Sequence, residues 1–231
     1  MEETTRELYK VETHAHTAEV SSCGHIGGAE LARMYAEAGY STLFITDHFY
    51  RSFFEKQENM TWTEKLAEYK KGYLAAKAEG EKYGLCVLWA PEMRLDCCPN
   101  DYLVYGLPDS FYEAHPEILS LDLPEFSTLV RENGGMLIQA HPTRAPKSGP
   151  TPEAVEGFEI RNTNPRHMEK TDFELCERLA AEYGLLQVGG SDAHRPEDVG
   201  RGGVAFSTPI LTAADYILAV RAESGCILCS I

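Results

Sequence analysis

The sequence predicts an α/β fold, either an α/β barrel or an open doubly wound sheet, on three observations. Short apolar runs alternate with charged amphipathic segments along its 231 residues. Several of the runs are hydrophobic throughout, as in the buried strands of a parallel sheet. Repeated strand-helix units of this size fit those two architectures.

The runs read as strands are Leu8 to Thr13, Thr42 to Thr46, Leu85 to Ala90, Tyr102 to Tyr105, Met136 to Ala140, Phe158 to Ile160, Leu185 to Val188, Val204 to Phe206 and Cys226 to Cys229. Between them, Leu31, Met34, Tyr35 and Ala38 fall at i, i+3, i+4 and i+7, and Trp62, Leu66, Tyr69 and Tyr73 continue a similar stripe. Each stripe marks a helix with one buried face. Thr61 with Glu64 and Thr171 with Glu174 fit the Thr-x-x-Glu capping box, while Gly39, Gly84 and Gly184 sit where helices should stop. No internal repeat or long Ser/Gly linker divides the chain, which predicts one domain over residues 1–231.

Hydrophobic residues make up 43% and charged residues 25%, with no run near the roughly 20 apolar residues of a membrane span. That composition excludes a helical membrane protein and a disordered chain. Met1 to Lys10 carry Glu2, Glu3 and Glu7 and no apolar signal region, so the cytoplasm is the expected location. Seven scattered cysteines predict reduced thiols rather than a disulfide framework. Cys226-Ile227-Leu228-Cys229 lies in an apolar strand, where buried packing is expected, and Cys97-Cys98 falls near the strand-end residue Glu92. Lys plus Arg is 21 against 36 Asp plus Glu, and the net charge of -15 disfavours long nucleic acid as a partner.

Five apolar runs end directly in a metal-binding side chain. Thr13 leads into His14, Thr46 into Asp47-His48, Ala90-Pro91 into Glu92, Ala140 into His141, and Gly190-Ser191 into Asp192. Strand C-termini converge on one mouth in an α/β barrel, so the five would meet there. His14-Ala15-His16 places two imidazoles at i and i+2, on one side of a continuing strand, and Asp192-Ala193-His194 repeats the spacing. His48 is either a hydrogen-bonded histidine or a ligand, with Asp47 placed to orient a metal-bound imidazole. Glu92 closes a very apolar run, and a position between two cations would relieve the cost of burying it. His115 and His167 sit in polar surroundings and read as helix-end or loop histidines.

Taken in order, Thr13-His14-Ala15-His16-Thr17, Ile45-Thr46-Asp47-His48, Pro91-Glu92, Ala140-His141-Pro142 and Gly190-Ser191-Asp192-Ala193-His194 resemble the motifs of the PHP family, the polymerase and histidinol phosphatase domain. The resemblance implies a distorted (β/α)7 TIM-like barrel with its active site at the C-terminal ends of the strands. It also implies two or three divalent ions, commonly zinc, manganese or iron, and hydrolysis of phosphate esters. By motif, His14, His16, Glu92 and Asp192 would hold a first metal, His48 and His194 a second, and His141 with a bridging Glu92 a third.

Two positions depart from the family pattern. The loop after His16 lacks the usual further Asp or His, and Glu19 is the expected second-metal ligand, with His25 in reserve. Asp101 stands where the family often has histidine and would serve the third metal.

A metal cluster lowers the pKa of bound water and neutralises phosphate oxygens, so the expected reaction is in-line attack by a metal-bridging hydroxide, without a covalent enzyme intermediate. His14, His16, Glu92, Asp192 and His194 would carry this chemistry. Arg144, Arg161 and Arg195 follow strands and are candidate phosphate clamps, with His167 as a further substrate contact or proton donor. The acidic chain favours a small phosphomonoester as substrate. The segments Cys97 to Pro108 and Arg144 to Pro152 are expected to shape the pocket. Two other readings stay open: a non-catalytic metal-binding scaffold, and a metal-dependent amidohydrolase acting on C–N bonds.

Overall fold

The computed structural model describes residues 8–144, 149–223 and 225–229; Met1 to Glu7 and part of the Arg144 to Pro152 segment lie outside them. The chain opens with β1 (Tyr9–Glu12), α1 (Gly28–Glu37), β2 (Thr42–Ile45) and the two-residue β3 (His48–Phe49). Next come α2 (Arg51–Glu55), α3 (Trp62–Tyr69) and α4 (Lys71–Tyr83), then β4 (Cys86–Trp89), β5 (Glu92–Met93) and β6 (Tyr102–Tyr105). After α5 (Asp109–Ala114), α6 (Leu123–Glu132) leads into β7 (Met136–Gln139) and β8 (Gly157–Asn162). The remainder holds α7 (Phe173–Tyr183), β9 (Leu186–Gly190), β10 (Gly202–Phe206), α8 (Ala213–Arg221) and β11 (Cys226–Cys229).

These strands form two sheets, one of order β11-β10-β1-β2-β4 and one of order β3-β5-β6-β7-β8-β9. A parallel bridge between Ala15 and Ala193 joins the chain beyond β1 to the chain beyond β9. Glu92 N donates to Asp47 O at 3.1 Å where β2 and β4 run on into β3 and β5. The expected parallel pairing holds for β1 with β2, β2 with β4, β3 with β5, β7 with β8 and β8 with β9. It fails for β6, which is antiparallel to both neighbours. The eight residues between Met93 and Tyr102 carry no helix to make a crossover, so the chain turns back on itself. Asp101 therefore reaches the mouth from the N-terminal end of its strand.

β10 and β11 also pair antiparallel, and β11 lies at the sheet edge. That position corrects the expected burial of the C-x-x-C pair: Cys226 and Cys229 are exposed.

The apolar runs pack as predicted for strands covered on both sides. Val11, Phe44, Tyr105, Ile138, Val188 and Val204 share one core cluster, in which Tyr216 of α8 packs its ring 4.9 Å from those of Phe44 and Tyr105. On the other side, α1 buries Leu31 and Tyr35 and lies close to α4. Glycine permits this approach, since a Cβ on Gly28 would stand 2.1 Å from Gly72 O and one on Gly72 would stand 1.9 Å from Thr17 Oγ1. Thr61 and Glu64 form the predicted capping box of α3. At α7 the cap moves one residue on, to Asp172, whose carboxylate accepts Leu175 N at 2.9 Å, while Thr171 donates to His167 O. Among the described residues no helix is long and apolar enough to cross a membrane.

Candidate metal centre

The site is built where the strands end. His14 and His16 flank Ala15 at the bridge to Ala193, so strand alternation turns both rings to one side, and both are fully buried. Glu12 gathers this corner: its Oε1 accepts from the backbone N–H groups of Thr13, His14 and Ser191 at 2.9–3.0 Å. Burial raises the Glu12 carboxyl to about 7, against the pull of those bonds. His141 and Asp192 both have positive φ, 33° and 51°, a conformation that costs a residue with a side chain about 1–3 kcal/mol and is maintained here at two predicted ligands.

Glu92 lies at the centre. Its Oε1 stands 3.3 Å from His14 Nε2 and 3.1 Å from His141 Nε2, and its Oε2 stands 3.1 Å from His48 Nε2 and 3.7 Å from His16 Nε2. Asp192 Oδ1 faces His16 Nε2 at 3.2 Å, His14 Nε2 at 3.5 Å and His194 Nδ1 at 3.4 Å. Asp101 stands 3.9 Å from His141 Nε2 and is held by Arg94 through two 2.7 Å bonds and by Tyr50.

The rings are oriented from behind. Glu159 Oε1 takes the Nδ1 side of His14 at 2.9 Å, and its Oε2 accepts from His141 N and Asn162. Gly190 makes room for this contact, because a Cβ there would lie 2.6 Å from His14 Cβ and 2.7 Å from Glu159 Oε1. His16 Nδ1 lies 3.2 Å from Ser21 Oγ, which donates to Asp47 at 2.7 Å. Asp47 thus acts on the imidazole of His16 through Ser21, and its oxygens are taken up by Thr17 and Ser21. In both histidines Nε2 is left to face the carboxylates.

Charges follow this packing. Burial opposes charge on His14, yet Glu159, Asp192 and Glu92 hold its pKa well above the usual value. Burial lowers His16 strongly, with His194 and His48 adding repulsion. Burial would raise Glu92 and Asp192, but His14 and its neighbours hold both well below the ordinary carboxylate range.

The donor set fits divalent metal. His14 Nε2 and His16 Nε2, the nitrogens that face Glu92 and Asp192, are buried with no hydrogen-bond partner, a costly state that a cation accepting a lone pair removes. Among the described residues, four groups each bring their donor atoms within 4.8 Å: His14, His16 and Glu92; His14, His141 and Asp192; Glu92, Asp101 and His141; His16, His48 and His194.

Two expectations, Glu19 and Arg161, meet a different arrangement. Glu19 is not brought to the cluster, for its carboxylate accepts Gly28 N at the start of α1. Cys23 is the loop residue against the histidines, 3.7 Å from His48 Nδ1 and close to His194, while the reserve His25 lines the pocket. Burial would raise the Cys23 thiol, but these two rings bring it down to about 6. Arg161 turns away to pair with Glu177 and stack on Phe173 of α7, because an irregularity in β8 between Glu159 and Arg161 breaks the alternation that would have aimed it inward.

Arg144, Arg195 and His167 do line the pocket, a cleft of about 610 Å³. Arg144 reaches Asp192 Oδ2 at 2.6 Å. Burial, then Arg144, lowers the His167 pKa to about 4. Cys97 and Cys98 line an adjoining pocket instead. His115 sits at the end of α5, bonded to Phe111 O.

The residues that sequence reading missed are Glu159, Cys23, Arg94 and Tyr50, the last stacked on His48 at 4.4 Å. A signal existed for Glu159, a carboxylate between Phe158 and Ile160 in an apolar strand. Glu159→Gln is expected to weaken metal binding about 10- to 100-fold, the usual cost of losing such an orienting carboxylate. Competition against a chromophoric chelator measures this, and an unchanged affinity would reduce Glu159 to a packing residue.

A family model described as PHP-associated matches residues 172–224. No curated protein matches the chain. Among solved structures, a two-domain protein from Bacteroides vulgatus containing a predicted PHP-like metal-dependent phosphoesterase aligns at TM-score 0.68 and 16% identity, over 96% of this chain and 64% of that one. An amidohydrolase from Chromobacterium violaceum, solved with sulfate and no metal, aligns at 0.59 and 16%, over 95% and 98%. A lesion-specific endonuclease from Pyrococcus furiosus aligns at 0.64 and 13%, over 96% and 58%. The chain thus spans less than two thirds of the first and last of these. At such identities the likeness is one of fold, and the fold is PHP-like.

Proposed function

We propose that this chain, PHP-like in fold and in the family match at its C-terminal end, is a metal-dependent phosphoesterase acting on a small phosphomonoester. The two sheets, linked at Ala15 and Ala193, are read as one distorted barrel and the chain as one domain. The observation that carries the reading is the convergence of His14, His16, His48, Glu92, His141, Asp192 and His194 beneath an open cleft, with Nε2 of His14 and of His16 buried and unpartnered.

Divalent ions held by these side chains would supply a nucleophile at neutral pH and cancel charge on phosphate oxygens. The protein's own part is placement. Glu92 and Asp192 stay ionised beside the histidines, and Glu159 and Ser21 fix the ring orientations. On its wall Arg144 presents a fork beside Asp192, positioned to take a phosphate oxygen, and Arg195 and Lys170 add positive charge in an otherwise acidic protein. A cleft of this size suits a small ester better than a long polymer, and the net charge of -15 favours the same choice.

The second reading, C–N hydrolysis, is favoured by one observation, the amidohydrolase among the structural neighbours. The test is phosphate release from a panel of monoesters by the metal-reconstituted protein, with a chelated control and parallel diester and amide panels. Chelator-sensitive release from a monoester is the expected result. Turnover confined to amides would install the second reading, and tight metal binding with every panel silent would leave a scaffold.

A further inference from the structure

We propose that Cys23 supplies a thiolate to the metal site framed by His48 and His194, so that this site takes a thiophilic ion, zinc or iron(II), in preference to manganese or magnesium. The inference rests on the metal-centre reading above and concerns the loop after His16. Glu19, the carboxylate that loop offers, is taken up by the N–H of Gly28. Cys23 instead turns its sulfur to Nδ1 of His48 at 3.7 Å and to the ring of His194. A tetrahedral zinc with sulfur at about 2.3 Å and imidazole nitrogen at about 2.0 Å separates those two donors by roughly 3.6 Å. A sulfur-to-nitrogen spacing of that order serves two ligands on one ion as well as the hydrogen bond between Cys23 and His48 Nδ1.

A second, independent observation points the same way. His16 is fully buried, its Nε2 has no hydrogen-bond partner, and it shares with His48 and His194 a set of donors within 4.8 Å of one another. Its ring lies 4.4 Å from that of His48 and 4.2 Å from that of His194. Imidazoles that ligate a metal do so in the neutral form and bring no charge to a dication, and a thiolate would supply one unit of it. Thiolate and imidazole donors suit zinc and iron, whereas manganese and magnesium are best served by oxygen.

The experiment uses cobalt(II) as the probe, titrated into the metal-stripped full chain, with absorbance read alongside bound cobalt by elemental analysis. Wild type, Cys23→Ser and Cys23→Asp are compared. The expected result is a near-ultraviolet sulfur-to-cobalt charge-transfer band in wild type only, with visible ligand-field bands in all three proteins and cobalt bound at least about tenfold more weakly by Cys23→Ser. Cobalt bound by wild type without that band, or a band that survives in Cys23→Ser through another thiol, overturns the proposal while the metal centre stands. If wild type binds no cobalt, the metal-centre reading itself falls and this proposal with it.

Discussion

Replacing His14 and His16 together by alanine is expected to lower kcat/KM for chelator-sensitive phosphate release by about a thousandfold or more. Metal catalysis contributes several kcal/mol to such reactions, and a tenfold change in rate is about 1.4 kcal/mol. Both rings are fully buried, and His14 and His16 stand on the same Glu92 and Asp192 carboxylates, so their loss opens the floor of the cluster. It also leaves Glu159 without the ring it orients. The variant should bind at least one metal equivalent fewer, measured by elemental analysis after gel filtration, with circular dichroism to show that it folds. Activity retained at near wild-type level with the metal gone would remove the basis of the phosphoesterase reading.

Arg144→Ala is expected to cost about a hundredfold in kcat/KM, the scale seen when one donor to a developing anionic centre is removed, while metal content is unchanged. The separation of the two effects matters because Arg144 also touches Asp192 at 2.6 Å. Asp192 keeps His14, His16 and His194 as partners, so it should remain ionised and in place without the guanidinium. Arg144→Lys preserves the charge and loses the fork, and should recover only part of the activity. Metal loss in Arg144→Ala, in proportion to the loss of activity, would recast the arginine as a support for Asp192 rather than a substrate contact.

Much of the site was legible in the sequence because strands encode their geometry locally. His14 and His16, or Asp192 and His194, need only a two-residue period and a strand end to share a direction, and His48, Glu92 and His141 need only to follow apolar runs. The same logic found the helices and the capping box at Thr61. Arg161 was misread by the same rule, since a single irregularity after Glu159 reverses the face and leaves no mark in the residue types. The loop after His16 was misread for a different reason. Nothing in the order Glu19, Cys23, His25 says which side chain returns to the metal site and which caps α1.

The sequence by itself determined the strand-helix alternation, the convergence of ligands at strand ends and the family they resemble, all of which rest on short-range periodicity. Only the tertiary structure decided that β6 runs backwards to deliver Asp101, that Glu159 stands behind His14 across 145 residues of chain, and that Cys23 rather than Glu19 meets His48. Those outcomes depend on which distant groups satisfy a buried charge or an open N–H, and that competition is settled only when the whole chain is packed.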